Sequence, residues 1–214
     1  MKITKFVHSC LLVEMPEPVN RTALFDPGIF SEDALNIDAL EYLDDIVITH
    51  VHPDHCSPVL LPKLVQKFPE ARITAPEEVL ARLRDWGIHG GSTTPPEGIE
   101  LFNSPHESLS PNNQTPEEIG VHYLGLLSHP GDSHSFTETK QILALPITAP
   151  WGSFWSAVNL AGQLKPKYVL PIHDWHWNDD ARIQSYENAR QVLEPQGITF
   201  VPLVTGEPIV IDIA

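Results

Sequence analysis

Asp45-Ile46-Val47-Ile48-Thr49-His50-Val51-His52-Pro53-Asp54-His55 is the stretch on which the reading of this chain turns. Residues 45–49 are mostly apolar and β-branched, the composition of a short buried strand. Three imidazoles and a carboxylate follow within six residues, at the strand's carboxyl end. Neutral imidazole nitrogens and carboxylate oxygens suit zinc, manganese or iron. A tight turn with alternating side-chain directions lets neighbouring ligands face two adjacent ions. The bland alternative is a polar loop with chance histidines, and further ligand candidates downstream weigh against it.

Working outward, residues 2–14 and 22–26 read as strands joined across the breaker cluster Pro16-Glu17-Pro18-Val19-Asn20. Segment 31–43 opens on a serine cap candidate and carries Leu35, Ala39, Leu40 and Leu43 at near-helical spacing, which predicts a helix. Ser57-Pro58 reads as an N-cap with proline at the first helical position, opening a helix to about Phe68. A second helix runs over roughly 76–86, with Gly87 as its stop. From 87 to 119 the chain is expected to be loop-rich, through the polar PNNQTPEE stretch, apart from a strand near 98–102. Strands at 120–127 and 141–145, a helix at 152–163 and a strand at 167–172 follow. Asp179 or Asp180 is expected to cap a final helix to about Glu194, and strands at 198–204 and 208–213 close the chain. No internal repeat is strong enough to claim, but strands and helices alternate in both halves, which suggests two similar layers. The expected architecture is α/β with four layers, helices outside two sheets, in a single domain spanning 1–214.

Composition bounds the partners. The 42% hydrophobic content of 214 residues supports a sizeable core. Without a run of about eighteen apolar residues, no membrane span is expected. His8 and Ser9 interrupt the apolar N-terminus and Glu14 follows, so no signal peptide and a cytoplasmic location are expected. Cys10 and Cys56 lie far apart and outside any CxxC spacing, as thiols of a reducing compartment do; Cys56, next to His55, is a candidate neighbour of the metal site. Thirteen basic against twenty-eight acidic residues give 13 − 28 = −15, a charge that repels polyanions and disfavours nucleic acid as partner or substrate.

Eleven histidines are many for such a chain. His106 stands in Ser104-Pro105-His106-Glu107, and its bland reading is a satisfied loop histidine, with His89 and His122 as competitors. Asp132, in His129-Pro130-Gly131-Asp132-Ser133, is otherwise an ordinary turn aspartate. His173 ends the apolar strand of Lys167-Tyr168-Val169-Leu170-Pro171-Ile172-His173, where α/β architectures place functional groups, with His176 as runner-up. His129 and His134 flank the Gly-Asp turn as donors to a ligand or as plain surface histidines. His8, in the first hairpin, reads either as a group that hydrogen-bonds substrate or a metal-bound carboxylate, or as a buried structural histidine. Trp151, Trp155, Trp175 and Trp177 gather around His173 in sequence, as an aromatic wall for substrate or, for at least two of them, as core packing.

The HxHxDH pattern after a strand resembles the metallo-β-lactamase superfamily. It is similar in particular to the small metal-dependent hydrolases of the L-ascorbate-6-phosphate-lactonase-like branch, whose first hairpin carries Gly-His-Ser or Gly-His-Ala. Val7-His8-Ser9 stands in that place here and departs from the pattern in its first residue. The resemblance spans essentially the whole chain. It implies the metallo-β-lactamase fold, an αββα sandwich, and two divalent metal ions, zinc by preference, with manganese or iron as alternatives. It also implies that His50, His52 and His106 hold one ion, that Asp54, His55 and His173 hold the other, and that Asp132 bridges them. Asp26, in Leu24-Phe25-Asp26-Pro27, resembles the family's supporting aspartate. A bridging carboxylate also makes physical sense, because two divalent cations at short range repel unless an anion lies between them.

What this implies is a hydrolase in which a metal-bridging hydroxide opens a small ester, with Asp54, Asp132 and His8 at the reacting centre. Di-iron flavoprotein chemistry is disfavoured because His52 stands where that branch has glutamate and the chain has no room for a flavin domain. Nucleic-acid processing is disfavoured by charge and length. Phosphodiester cleavage and a non-catalytic metal-binding role remain as alternatives. Between Arg84 and Lys165 the only Lys or Arg is Lys140, so the loops expected to frame the pocket offer little to grip a phosphate. A small neutral or weakly charged ester, most plainly a lactone, is the expected substrate, and the oligomeric state is left open.

Overall fold

The computed structural model describes residues 1–110 and 114–213. The chain divides into two compact units, Met1–Pro96 with Leu203–Ala214, and Glu97–Pro202.

In the first unit, β1 (Lys2–Lys5), β2 (Leu11–Met15) and β3 (Arg21–Phe25) form an antiparallel meander. β4 (Asp45–Val47), β5 (Arg72–Thr74) and β6 (Gly91–Ser92) continue it in parallel, each reached by a crossover. Helix α1 (Leu60–Lys67) precedes β5 and buries Leu60, Leu61 and Leu64, while α2 (Glu77–Asp85) precedes β6 and buries Val79, Leu80 and Leu83. These are the i, i+3, i+4 faces that a sheet-covering helix needs. Each such leucine contributes roughly 1.5–3 kcal/mol on burial.

The second unit repeats the connectivity. β7 (Ile99–Phe102), β8 (Gly120–Tyr123) and β9 (Leu127–His129) form an antiparallel meander, and β10 (Ile142–Pro146), β11 (Tyr168–Ile172) and β12 (Thr199–Phe200) extend it in parallel. Helices α3 (Phe154–Leu164) and α4 (Asp179–Leu193) occupy the crossovers that α1 and α2 occupy in the first unit. Beside β1, the strand β13 (Pro208–Val210) adds a seventh member to the first sheet. The fold is thus mixed α/β with two mixed sheets and flanking helices. The two similar layers read from the alternation of elements are a matched six-strand pattern, although the sequence shows no repeat.

Several boundaries differ from the expected ones. Segment 31–43 is no helix but two short 3-10 turns, Ile29–Ser31 and Ile37–Ala39. Its would-be cap, Ser31, spends its hydroxyl on the backbone of Val7, donating to the carbonyl at 2.9 Å and accepting from the amide at 3.1 Å. The Lys67 ammonium takes the carbonyls of Ile37, Asp38 and Leu40 at 2.8, 2.9 and 2.8 Å, so they serve a lysine instead of a helical ladder. Leu35, Leu40 and Leu43 are buried all the same. Ser57 Oγ does accept from the amides of Val59 and Leu60, but regular helix begins only at Leu60. Asn178, not Asp179 or Asp180, caps α4 by accepting from the Ala181 amide at 2.8 Å. The expected strand 120–127 breaks at a turn over 124–126 into β8 and β9. The strand expected over 198–204 is only β12, because Pro202 has no amide to donate. Residues 111–113 of the PNNQTPEE stretch lie outside the described residues.

Candidate metal centre

The candidate ligands follow the carboxyl ends of strands. In the first unit β3 delivers Asp26 and β4 delivers the Thr49–His55 turn; in the second, β9 leads to Asp132 and β11 ends directly before His173. His8 and His106 come shortly after the first strand of their respective units. Three of these residues hold left-handed backbone conformations, His8 at φ 65°, Asp26 at φ 43° and His173 at φ 63°. Non-glycine residues adopt this region at a cost of order 1–3 kcal/mol, and they persist there when surrounding bonds over-determine them.

Asp26 is such a case. It is fully buried; its Oδ1 accepts from the Thr49 amide at 2.7 Å, and its Oδ2 accepts from Thr49 Oγ1 and from His55 Nδ1, both at 2.8 Å. The single hydroxyl proton of Thr49 goes to this carboxylate. Its oxygen is therefore left to accept from His50 Nδ1, 3.1 Å away. Both rings are thus fixed with the proton on Nδ1 and the lone pair on Nε2, the arrangement by which outer partners prepare an imidazole for a metal. His50 Nε2 faces His52 Nδ1 at 3.2 Å. Two nitrogens each 2.0–2.1 Å from one tetrahedral ion would stand about 3.3 Å apart. Ligand atoms of His8, Asp54 and His55 fall within 4.8 Å of one another, with His8 Nε2 3.2 Å from Asp54 Oδ2. Ser31, which grips both polar groups of Val7, holds the hairpin that carries His8.

The second unit supplies a matching set. Asp132 and His173 are buried, with His173 Nε2 at 3.0 Å and His106 Nε2 at 3.8 Å from Asp132 Oδ2. His173 Nδ1 donates to the Thr148 carbonyl at 2.8 Å, and His106 Nδ1 donates to the Glu107 carbonyl at 2.7 Å. The same tautomer logic holds for both. The loop after His173 is pinned by Asp174, whose Oδ2 accepts from Tyr186 OH at 2.5 Å and from Arg182 Nε at 3.2 Å. Burial, followed by the Asp174 charge, pushes the Tyr186 phenol far above its ordinary range, so this proton stays in place.

The competing histidines are engaged elsewhere. His134 Nε2 donates to the Pro146 carbonyl at 2.7 Å and its Nδ1 lies 3.1 Å from Ser156 Oγ, while burial lowers its pKa. His122 stacks on Phe102 with ring centroids 4.3 Å apart, and its Nδ1 pairs with Ser128 Oγ at 2.9 Å. His129 is fully buried and accepts from the Gly131 amide at 3.3 Å, shaping the turn before Asp132. Neither His129 nor His134 is the surface histidine that the sequence allows. His89 and His176 are exposed. Cys56 is buried, and desolvation, then the Asp26 charge, pushes its thiol up to about 12.

Trp151 packs between two of these rings, 5.5 Å from His173 and 5.0 Å from His134. Trp177 packs on the second unit's core, whereas Trp155 and Trp175 are about half exposed. Sequence reasoning missed the supports Ser31, Glu107, Glu118, Thr148 and Tyr186. Only Glu107 carried a signal, as a carboxylate adjoining a candidate ligand.

Residues 2–173 match the family described as the Beta-lactamase superfamily domain. Protein Rv0786c of Mycobacterium tuberculosis is 32% identical over 192 residues, covering 85% of this chain and 88% of the relative. Among solved structures, Igni18, a metallo hydrolase from Ignicoccus hospitalis, is similar with a TM-score of 0.71 at 20% identity, covering 100% of this chain and 99% of its own. The isothiocyanate hydrolase from Delia radicum gut bacteria is similar with a TM-score of 0.65 at 14% identity, covering 99% of both chains.

Proposed function

The chain belongs to the beta-lactamase superfamily, and on that premise we propose that it is a dinuclear metal-dependent hydrolase of a small neutral or weakly charged ester, most plainly a lactone. One observation carries the reading: His50, His55, His106 and His173 each have Nδ1 within hydrogen-bond reach of an oxygen partner, leaving Nε2 for a ligand role. This is the arrangement that outer partners give to metal-ligating imidazoles.

In this proposal His50, His52 and His106 hold one ion, Asp54, His55 and His173 hold the other, and Asp132 serves both. Bound divalent ions, zinc by preference, would supply a water acidified to near neutrality and a Lewis acid for the carbonyl. Asp26 and Thr49 keep His50 and His55 in the ligand tautomer. His8, beside Asp54, orients that carboxylate or donates to substrate. Trp151, against His173, gives the substrate's apolar part a wall. The resemblance to the L-ascorbate-6-phosphate-lactonase-like branch, carried by the His8 hairpin, supports this choice of substrate. A single working domain, a cytoplasmic location and a small-molecule partner in place of nucleic acid complete the proposal. Among the described residues no helix is long and apolar enough to cross a membrane.

Phosphodiester cleavage is the second reading, weakened by the lone Lys140 between Arg84 and Lys165. The test is metal analysis followed by kcat/KM on matched lactone and phosphodiester panels at fixed metal loading. About two ions per chain and lactone turnover are expected. A stoichiometry that never exceeds one, or a tenfold preference for phosphodiesters, about 1.4 kcal/mol in transition-state binding, overturns the respective half of the proposal.

A further inference from the structure

Glu107 is tied at three separate atoms, all within the second unit. Its carbonyl accepts from His106 Nδ1 at 2.7 Å, and its amide donates to the Asp132 carbonyl at 3.0 Å. One carboxylate oxygen, Oε1, accepts from the His134 amide at 3.0 Å and from Ser135 Oγ at 2.6 Å. The residue therefore joins the His106 loop to the segment that runs from Asp132 to Ser135. That segment is otherwise poor in regular structure: residues 130–135 lie between β9 and β10, and Gly131 at φ 68° allows the turn. Glu118 grips the same turn from another direction, its Oε2 accepting from the Asp132 amide at 3.0 Å.

We infer that Glu107 is a positioning residue for the metal centre, setting the spacing between His106 Nε2 and Asp132 Oδ2. The inference rests on the proposed ligand roles of His106 and Asp132. A loop carboxylate anchored to one backbone amide and one hydroxyl, two residues and three residues past Asp132, resists the sliding of one loop along the other. That spacing is now 3.8 Å, wide enough for an ion to lie against both atoms. The backbone bonds of residue 107 survive substitution, so the side chain's contribution is separable. Removal of such outer partners ordinarily weakens metal binding by about 10–100-fold.

The experiment compares Glu107→Ala, Glu107→Gln and His106→Ala with the wild type by zinc titration of the metal-free protein, and records the thermal midpoint of each metal-free form. Glu107→Ala is expected to bind zinc at least about tenfold more weakly with a metal-free midpoint within a few degrees of wild type. Glu107→Gln, which keeps the acceptor oxygen, is expected to stay within about threefold. Wild-type affinity in Glu107→Ala overturns the inference. So does an affinity loss in both Glu107 variants that tracks a large fall of the metal-free midpoint, since that marks a merely structural role. If the wild type takes up no zinc, or His106→Ala binds as the wild type does, the ligand assignment itself fails, and the inference with it.

Discussion

The imidazole Nε2 of His173 stands 3.0 Å from Oδ2 of Asp132, across 41 residues of sequence, with His173 Nδ1 anchored on the Thr148 carbonyl. A carboxylate so placed beside a lone-pair nitrogen is suited to share an ion with it. Asp132→Asn keeps the volume and removes the charge, so it is expected to lower metal content at both sites, whereas His106→Ala mainly empties one. Elemental analysis checks this, and equal metal in Asp132→Asn and wild type would sink the bridging role.

Asp26 organises the other ligand turn through three hydrogen bonds, one from an amide, one from a hydroxyl and one from an imidazole. Asp26→Asn puts an amide nitrogen where one carboxylate oxygen accepts, so either Thr49 or His55 loses its partner. Hydrogen bonds to charged groups contribute about 1.5–3 kcal/mol each. A loss of roughly 2–4 kcal/mol in unfolding free energy is expected, with the His55 proton moving to Nε2 in part of the population. Nitrogen-15 spectra of the metal-free variant read that tautomer directly; an unchanged His55 would refute the arrangement.

Gly28 is constrained by approach, not by φ. A Cβ there would overlap the Asp54 carbonyl and come within 2.6 Å of the His55 amide nitrogen, backbone atoms that have no freedom to step aside. Gly28→Ala is therefore expected to displace the ligand turn, lowering metal content and costing at least 2 kcal/mol or so in stability. Wild-type metal content and denaturation midpoint in this variant would show that the turn is looser than the contact implies.

These cases show where the sequence is informative. The HxHxDH stretch stands out because a strand and its candidate ligands are contiguous, so local chemistry and local structure coincide. His173 stands out as a candidate because it ends an apolar run. Segment 31–43 misled because its leucine spacing suits burial in any compact form, while the competitors for its polar groups, Val7 and Lys67, sit 24 and 27 or more residues away. Thr148 offers only a backbone carbonyl to His173, and no side-chain pattern announces that.

His122 gives a pH expectation with a definite sign. Burial, then the Lys140 charge, lowers its pKa below 6.5, against the opposing pull of Glu138. The neutral ring fits its bonds: Ser128 Oγ accepts from the Lys140 amide at 2.7 Å, which leaves its proton for His122 Nδ1. The folded state thus binds this proton less readily than the unfolded state does. Stability from this group is complete above about 6.5 and is lost as pH falls through the folded value. Titration of the His122 ring by NMR should give a midpoint below 6.5, and a midpoint above it would contradict the packing against Phe102.

Trp151 offers the sharpest probe of substrate chemistry. Its ring lies 5.5 Å from that of His173, close enough to flank a molecule reacting at a metal held by His173 in the proposed centre. An apolar substituent packed there would bury on the order of 40–80 Å² of carbon surface, about 1–2 kcal/mol. For a series of lactones with lengthening alkyl or phenyl substituents, kcat/KM should rise with the apolar group in wild type, and Trp151→Ala should remove about fivefold to thirtyfold of that rise. The effect should fall mainly on KM, because an apolar contact remote from the carbonyl binds ground state and transition state alike. Trp151→Phe should retain most of it. A parallel drop for every member of the series, the unsubstituted lactone included, would instead assign Trp151 to holding His173 in place, and an unchanged series would remove the aromatic wall from the account of specificity.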